Sequence, residues 1–367
     1  MQSEDECNPD FATVNDVATR RAGCIIPPGS RFYHKKSPPN QRRVQSLTAC
    51  GPQDLDSSQF LDIFSLQLHK NDNQEENPMT RALRFLAMCT ISVALATLSI
   101  ASAQTYTSID FPGAIATTLN GGPNPEGTNI GSYTDTSGVT HGFQLKKGVF
   151  TTFDPPGSTA TTPNWISPQG TIVGGYIDTS GVSHGFVLQG GKFTTVDFPG
   201  AAGTVLTSLN PSRQMSGESC AVASCASGVT HSFVLSKKGR FTSFDPPGAI
   251  SSVAVTVIPS GVVFGSFTDS AGVGHGYKLN HGTFSTIDFP GAVFTFTGGA
   301  NAKEESVGLE TDTAGVSHSF LLSHGVFTSF DPPGAIFSDA AGINPPGVIV
   351  GIFVDSTNVV HGYIRTP

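Results

Sequence analysis

An all-β fold, made of six near-copies of one small antiparallel sheet, is predicted by three observations. The histidine of an H-[GS]-[FY] motif recurs at His141, His184, His231, His275, His318 and His361. A D-[FP]-P-G turn recurs at Asp110, Asp154, Asp197, Asp245, Asp288 and Asp331. Composition points the same way: Gly 42, Pro 25 and Phe 26, with only 13% charged residues, describe many turns and half-buried pleated strands. Successive histidines lie 43, 47, 44, 43 and 43 residues apart, and a fixed period in the forties marks one supersecondary unit repeated along the chain.

The stretch before the repeats divides in two. Residues 1–78 are polar, carry mixed charges and show no sustained apolar period, so a disordered leader is expected there. Met79 to Gln104 has basic Arg81 and Arg84, an apolar run from Phe85 to Ile100, and Ala101-Ser102-Ala103 at its end. That is the layout of a secretory signal peptide spanning 79–103, and the run is short for a membrane span. Such a segment belongs at an N-terminus, so Met79 is expected to be the true start and residues 1–78 a mispredicted extension. The alternative is a signal anchor with a cytoplasmic tail. On the first reading the mature chain is secreted or periplasmic, with no membrane span left after cleavage.

Residues 104–367 form the repeat domain. In the second unit, Thr159 to Ile166, Thr171 to Asp178, His184 to Gln189 and Lys192 to Phe198 read as strands. Ser-Pro-Gln-Gly, Thr-Ser-Gly, Gly-Gly and Phe-Pro-Gly turns bound them. Four antiparallel strands in just over forty residues make one propeller blade. A β-solenoid is the alternative, but its rungs are shorter and need fewer turns per period. Tyr106 to Phe111 matches the fourth strand of a unit, whereas the last unit stops at its third, His361 to Arg365. The expected architecture is therefore a six-bladed β-propeller of four-stranded blades, closed by the N-terminal strand pairing in the last blade and leaving no raw sheet edge.

Each motif has a structural use. In D-[FP]-P-G, proline presets the turn, glycine takes a conformation other residues resist, and aspartate bonds the turn's own amides. Calcium wants six to eight oxygens at one point, whereas these aspartates are spread one to a unit, so no calcium site is expected. The D-x-[SA]-G hairpin at Asp135, Asp178, Asp269 and Asp312, with a looser form at Asp355, precedes the histidine. Zinc needs three or four ligands around one point, so each imidazole is expected to bond a neighbouring Asp or Ser instead of a metal. The hairpins and D-[FP]-P-G turns should share one rim with the histidines. The other rim should carry N-x-x-G-like turns at Asn120, Asn210, Asn301 and Asn344. The Asp/His rim is the better place for a ligand, since loops on a rigid scaffold usually do the binding.

The third unit departs most from the pattern. It is longer, and Cys225 replaces the hairpin aspartate. With Cys220 it supplies the two cysteines left after export, which predicts a disulfide across the hairpin. Ser219 and Glu310 stand where other units carry Tyr133, Tyr176, Phe267 and Phe353. Glu126, Glu218, Glu304, Glu305 and Asp339 are carboxylates outside the repeat pattern, but nothing in their spacing makes a catalytic pair. There is no HExxH and no phosphate-binding glycine loop. No catalytic residue, cofactor or metal is expected. From Gln104 onward 10 Lys/Arg face 17 Asp/Glu without a basic stripe, which excludes a nucleic-acid partner.

The units resemble the extracellular HAF repeats of secreted bacterial proteins, with the pattern I-N-x-x-G-x-x-V-G followed by H-[AG]-F and a glycine turn. Ile343-Asn344 to Gly351 with His361-Gly362-Tyr363, and Ile172-Val173-Gly174 with His184-Gly185-Phe186, carry the resemblance. It spans Tyr106 to Pro367, with departures at Trp165-Ile166-Ser167, Val257-Ile258-Pro259 and Cys225. It implies an exported, propeller-like repeat protein and supplies no catalytic residues. The expected function is a monomeric, non-catalytic binding or scaffold module at or outside the cell surface, for a glycan or another protein. A polysaccharide lyase or hydrolase using one mouth of the propeller channel is the alternative.

Overall fold

The computed structural model describes residues 104–226 and 228–367, and the expected leader and signal peptide lie outside them. The described residues are all-β. The first strand, β1 (Thr105–Ile109), is followed by five sets of four strands. These are β2 (Ala116–Gly121), β3 (Asn129–Thr134), β4 (Thr140–Lys146) and β5 (Val149–Phe153); β6 (Ser158–Ile166), β7 (Ile172–Asp178), β8 (Ser183–Gln189) and β9 (Lys192–Val196); then β10 (Gly203–Leu209), β11 (Met215–Cys220), β12 (Thr230–Leu235) and β13 (Phe241–Phe244). The fourth set is β14 (Ala249–Val257), β15 (Val263–Asp269), β16 (Gly274–Asn280) and β17 (Thr283–Ile287), and the fifth is β18 (Phe294–Ala300), β19 (Ser306–Thr311), β20 (Ser317–Ser323) and β21 (Val326–Phe330). The chain ends on β22 (Ala335–Ile343), β23 (Ile349–Asp355) and β24 (Val360–Thr366).

Within each set consecutive strands pair antiparallel, and β1 lies antiparallel beside β24, with Tyr106 opposite Arg365 and Ser108 opposite Tyr363. The expected fourth strand of the second unit stops at Val196, not Phe198, because Asp197 and Phe198 already enter the turn. The sets are not six separate sheets. Single parallel bridges, Ala116 to Val360 and Thr140 to Ala160, join β22–β24, β2–β5 and β6–β9, with β1, into one twelve-stranded sheet. The remaining sets are separate four-stranded sheets. The bridges form where a first strand runs close to the third strand of the set before it.

One aromatic ring per set anchors the core. Phe143, Phe186, Phe233, Tyr277, Phe320 and Tyr363 are fully buried on the third strands. Each faces a second-strand glycine: Gly131, Gly174, Gly217, Gly265, Gly308 and Gly351. A Cβ on any of them would come within 2.5 to 2.9 Å of that ring and drive into a first-strand carbonyl oxygen. The glycine is what lets ring, second strand and first strand approach.

The apolar clusters run between neighbouring sets. Ile130 of the first set packs with Ile166, Ile172 and Phe186 of the second, and Val173 of the second with Leu206 and Phe233 of the third. Val350, near the end of the chain, packs with Leu119 and Phe143 of the first set. Asparagines add polar ties of the same kind. Asn120 Nδ2 donates to the Pro163 carbonyl (2.8 Å), Asn164 to Leu206 (2.8 Å), Asn210 to Ile258 (3.1 Å) and Asn301 to Asn344 (3.1 Å). Asn344 Nδ2 in turn donates to the Pro123 carbonyl of the first set at 3.3 Å. The turn asparagine of the first unit is Asn124, not Asn120. Asn124 Oδ1 accepts from the Glu126 and Thr128 amides, and Asn120 lies earlier on β2 in the tie to the second set.

Candidate functional site

The repeated histidines and aspartates converge unit by unit along one rim. In each unit Nδ1 of the imidazole meets the aspartate of the following D-[FP]-P-G turn: His141 with Asp154 at 2.8 Å, His184 with Asp197 at 3.0 Å, His231 with Asp245 at 2.9 Å. His275 meets Asp288 at 3.0 Å, His318 meets Asp331 at 2.7 Å, and His361 reaches back to Asp110 at 2.6 Å. Five imidazoles also have the hairpin aspartate on the Nε2 side, at 3.4 to 3.8 Å: Asp135, Asp178, Asp269, Asp312 and Asp355. Hairpin and turn therefore share a rim.

Backbone geometry positions these groups. The hairpin carboxylate caps its own turn: Asp135 Oδ1 accepts from the Val139 amide at 2.9 Å and the Ser137 amide at 2.8 Å. The Val139 bond, with that of Ser137, holds the Asp135 carboxyl below the ordinary range; the corresponding Val359 amide and the Thr357 hydroxyl bring Asp355 down to about 2. The hydrogen bond to Asp154 raises the His141 imidazole above its ordinary value. An aromatic ring on the second strand covers the imidazole in four units: Tyr133 over His141, Tyr176 over His184, Phe267 over His275 and Phe353 over His361, with centroids 4.9 to 5.1 Å apart. Each unit thus satisfies its histidine with its own residues or the next turn. Among the described residues no group of three or more His, Cys, Asp and Glu is placed to hold a metal ion.

The units with Ser219 and Glu310 differ. Glu310 lies opposite His318, is buried, and accepts from Ser329 Oγ at 3.1 Å; burial pushes its carboxyl upward, with Ser329 opposing. Cys220 and Cys225 form a disulfide, Cα atoms 5.3 Å apart, across the enlarged hairpin. That hairpin leans on the second set, where the Ser183 amide donates to the Ala223 carbonyl and Ser183 Oγ accepts from the Cys225 amide.

A central cavity of about 480 Å³ is lined by the first strands of all six repeats, through Thr118, Asn164, Thr207, Val253, Phe296 and Asp339 among others. Glu218 also faces it from β11. Half-buried there, its carboxyl is pushed up to about 7 by loss of water, against a weaker hydrogen bond from Thr230.

Two buried polar relays are further features. Ser232 Oγ bonds Ser252 Oγ (2.6 Å) and Tyr277 Oη (2.9 Å), and Ser252 donates to Asp245, which holds His231. Ser319, Ser338, Tyr363, Asp331 and His318 repeat this arrangement. The signal lay in the repeats: H-S-F at 231–233 and 318–320 is followed by H-G-Y one unit later, where other units have H-G-F.

No family model matches the chain, and no curated protein matches it. Among solved structures, the chain resembles AofleA from Arthrobotrys oligospora at 12% identity and a TM-score of 0.47, over 71% of this chain and 86% of that one. It resembles Aleuria aurantia lectin, a fungal lectin with a six-bladed β-propeller fold and a novel mode of fucose recognition, at 12% identity and a TM-score of 0.44, over 70% and 93%. A gluconolactonase from Xanthomonas campestris matches at 10% identity and a TM-score of 0.46, over 72% and 91%. At these identities and scores the likeness carries no function across. No helix among the described residues is long and apolar enough to cross a membrane.

Proposed function

We propose that residues 104–367 form a closed six-bladed β-propeller that is exported and acts, as a monomer, as a non-catalytic binding or scaffold module for a glycan or another protein. Closure is supported by β1 on β24, by Asn344 bonded to the Pro123 carbonyl, and by the first strands β2, β6, β10, β14, β18 and β22, each touching the next and the last touching the first. The observation that carries the functional reading is the near-sameness of the rim. Six imidazoles are each engaged by a turn aspartate. An active site gathers unlike groups at one spot, whereas this rim repeats like groups around a circle and suits a scaffold. Export rests on the segment 79–103, and membership of the HAF-repeat family on the motifs of the units. N-terminal sequencing of the native protein should find Gln104 first; a mature chain beginning before Met79 would overturn the processing scheme.

A glycan array run beside an activity screen on plant and microbial polysaccharides tests the function. Saturable binding without turnover is expected, and turnover by the purified chain rejects the non-catalytic reading. Glu218 favours one rival, a lyase or hydrolase working in the central cavity, because a carboxyl held near neutrality can donate a proton. If the screen finds turnover, Glu218→Gln should abolish it; undiminished turnover in that variant removes the rival.

A further inference from the structure

The third set keeps a place built for an aromatic ring and leaves it open. In the first set Tyr133 fills that place, stacked on Phe111 with centroids 3.7 Å apart and planes 1° apart, and stacked on His141 at 5.1 Å. Both neighbours are retained in the third set. Phe198 packs on Phe233 and Phe241 at 5.5 and 5.1 Å, as Phe111 packs on Phe143 and Phe150 at 5.8 and 5.0 Å. His231 holds Asp245 at 2.9 Å, as His141 holds Asp154 at 2.8 Å. The ring itself is missing, because Ser219 stands opposite His231 where Tyr133 stands opposite His141.

An open cavity of about 290 Å³ results, lined by Phe198, Ser219, Cys220 and His231 and floored by the 199–202 turn. The His231 side chain is 49% exposed, whereas its five equivalents are 19 to 27% exposed. Although Cys225 aligns with the hairpin aspartate in the sequence, the strand register puts Ala221 at the position from which an aspartate faces Nε2 in the other units: its amide donates to the Val229 carbonyl as that of Asp135 does to Val139. The fifth set lacks the ring too, but there the buried Glu310 side chain takes the place.

We propose that this slot binds the flat aromatic ring of a small ligand, stacked against Phe198 and His231 as Tyr133 is stacked within the first set. Aromatic faces prefer such offset or stacked partners, and a half-buried Phe198 already held by the Phe233 and Phe241 rings, with His231 held by Asp245, loses little freedom on binding. A pyranose is the less suitable occupant, since the place is shaped by a planar ring in the equivalent unit. The site is separate from the central cavity and does not depend on closure of the ring or on the glycan reading above.

The probe is p-cresol, the side chain of tyrosine as a free molecule, titrated into the full chain while the histidine ring protons are followed by NMR. A saturable upfield shift of His231 is expected, with the five equivalent histidines unmoved. Methyl glucoside should leave His231 where it is. Ser219→Tyr should bind p-cresol at least tenfold more weakly, with His231 already shifted in the free variant. Should that variant fail to fold, Phe198→Leu is expected to weaken binding by a similar factor. The proposal is overturned if p-cresol moves all six histidines together, if no saturable shift occurs, if methyl glucoside competes at equal concentration, or if the folded variant binds as the parent does.

Discussion

At the scale of single residues, the second-strand glycines are the least replaceable positions. A Cβ on Gly174 would press on the Thr162 carbonyl and sit 2.9 Å from the Phe186 ring, and neither neighbour can move without displacing its own strand. Gly174→Ala should therefore destabilise the domain by about 3 kcal/mol, at the upper end of ordinary overpacking. Equilibrium unfolding in urea measures this, and a change in midpoint too small to resolve would show that the first strand yields. Glu218 gives a second residue-scale expectation. Its carboxyl is pushed up to about 7 in the fold from an ordinary 4.5, so the folded chain binds the proton more tightly than the unfolded chain. By linkage its contribution favours the fold below pH 4.5 and is lost as pH rises through about 7. The loss is on the order of 3 kcal/mol at most, since a tenfold change in proton affinity corresponds to about 1.4 kcal/mol. Unfolding free energies at pH 5 and pH 8 should differ by more in the parent than in Glu218→Gln; equal differences would mean that Glu218 keeps its water.

At the scale of elements, the enlarged β11–β12 hairpin replaces one stabilising device with another. Other hairpins are capped by an aspartate that accepts two backbone amides and flanks the histidine, as Asp178 does with Ser180, Val182 and His184. Here the Cys220–Cys225 bridge closes the hairpin covalently, and the Cys225 amide docks on Ser183 of the neighbouring set. Replacing both cysteines by serine should cost about 2 kcal/mol for so short a loop. Hydrogen exchange should rise first at the amides of 221–226 and at Ser183. Unchanged exchange at Ser183 would show that docking needs no bridge. Much of this element was legible in the chain, because a break in a six-fold repeat stands out: the two cysteines, the extra length and Ser219 all fall in one unit. The strands were legible for a similar reason, each bounded by a turn whose glycine or proline has a definite backbone role. Less legible were the contacts between units. Asn124 and Asn120 are both asparagines near the end of β2, and only strand register shows that the first caps a turn while the second reaches Pro163. The Ser232–Ser252–Tyr277 relay joins residues 45 positions apart that become neighbours only when two sheets pack.

At the scale of the whole molecule, the decisive contact is between the two ends of the repeat domain. β1 supplies the outer strand that β22–β24 lack, and Asp110 just beyond it supplies the Nδ1 partner of His361. Tyr106 adds a ring 6.3 Å from the buried Tyr363. Without β1, β24 would present an unpaired edge, and such edges recruit strands from other chains. Deleting residues 104–111 should lower the melting temperature by about 10 °C, given that a few kcal/mol shift a domain of this size by several degrees each. It should also turn the proposed monomer into a concentration-dependent oligomer on size exclusion. A synthetic peptide of residues 104–111 added in trans should restore both, because it can occupy the vacated edge and return the aspartate to His361. The control is a peptide with Asp110 replaced by Asn. Such a peptide still pairs along the strand but offers the imidazole a neutral partner, so it should restore the monomer while recovering less of the melting temperature. If the shortened chain melts as the parent does and stays monomeric, β1 is an ornament on a domain already closed by its other contacts, and the strand-exchange account of closure fails.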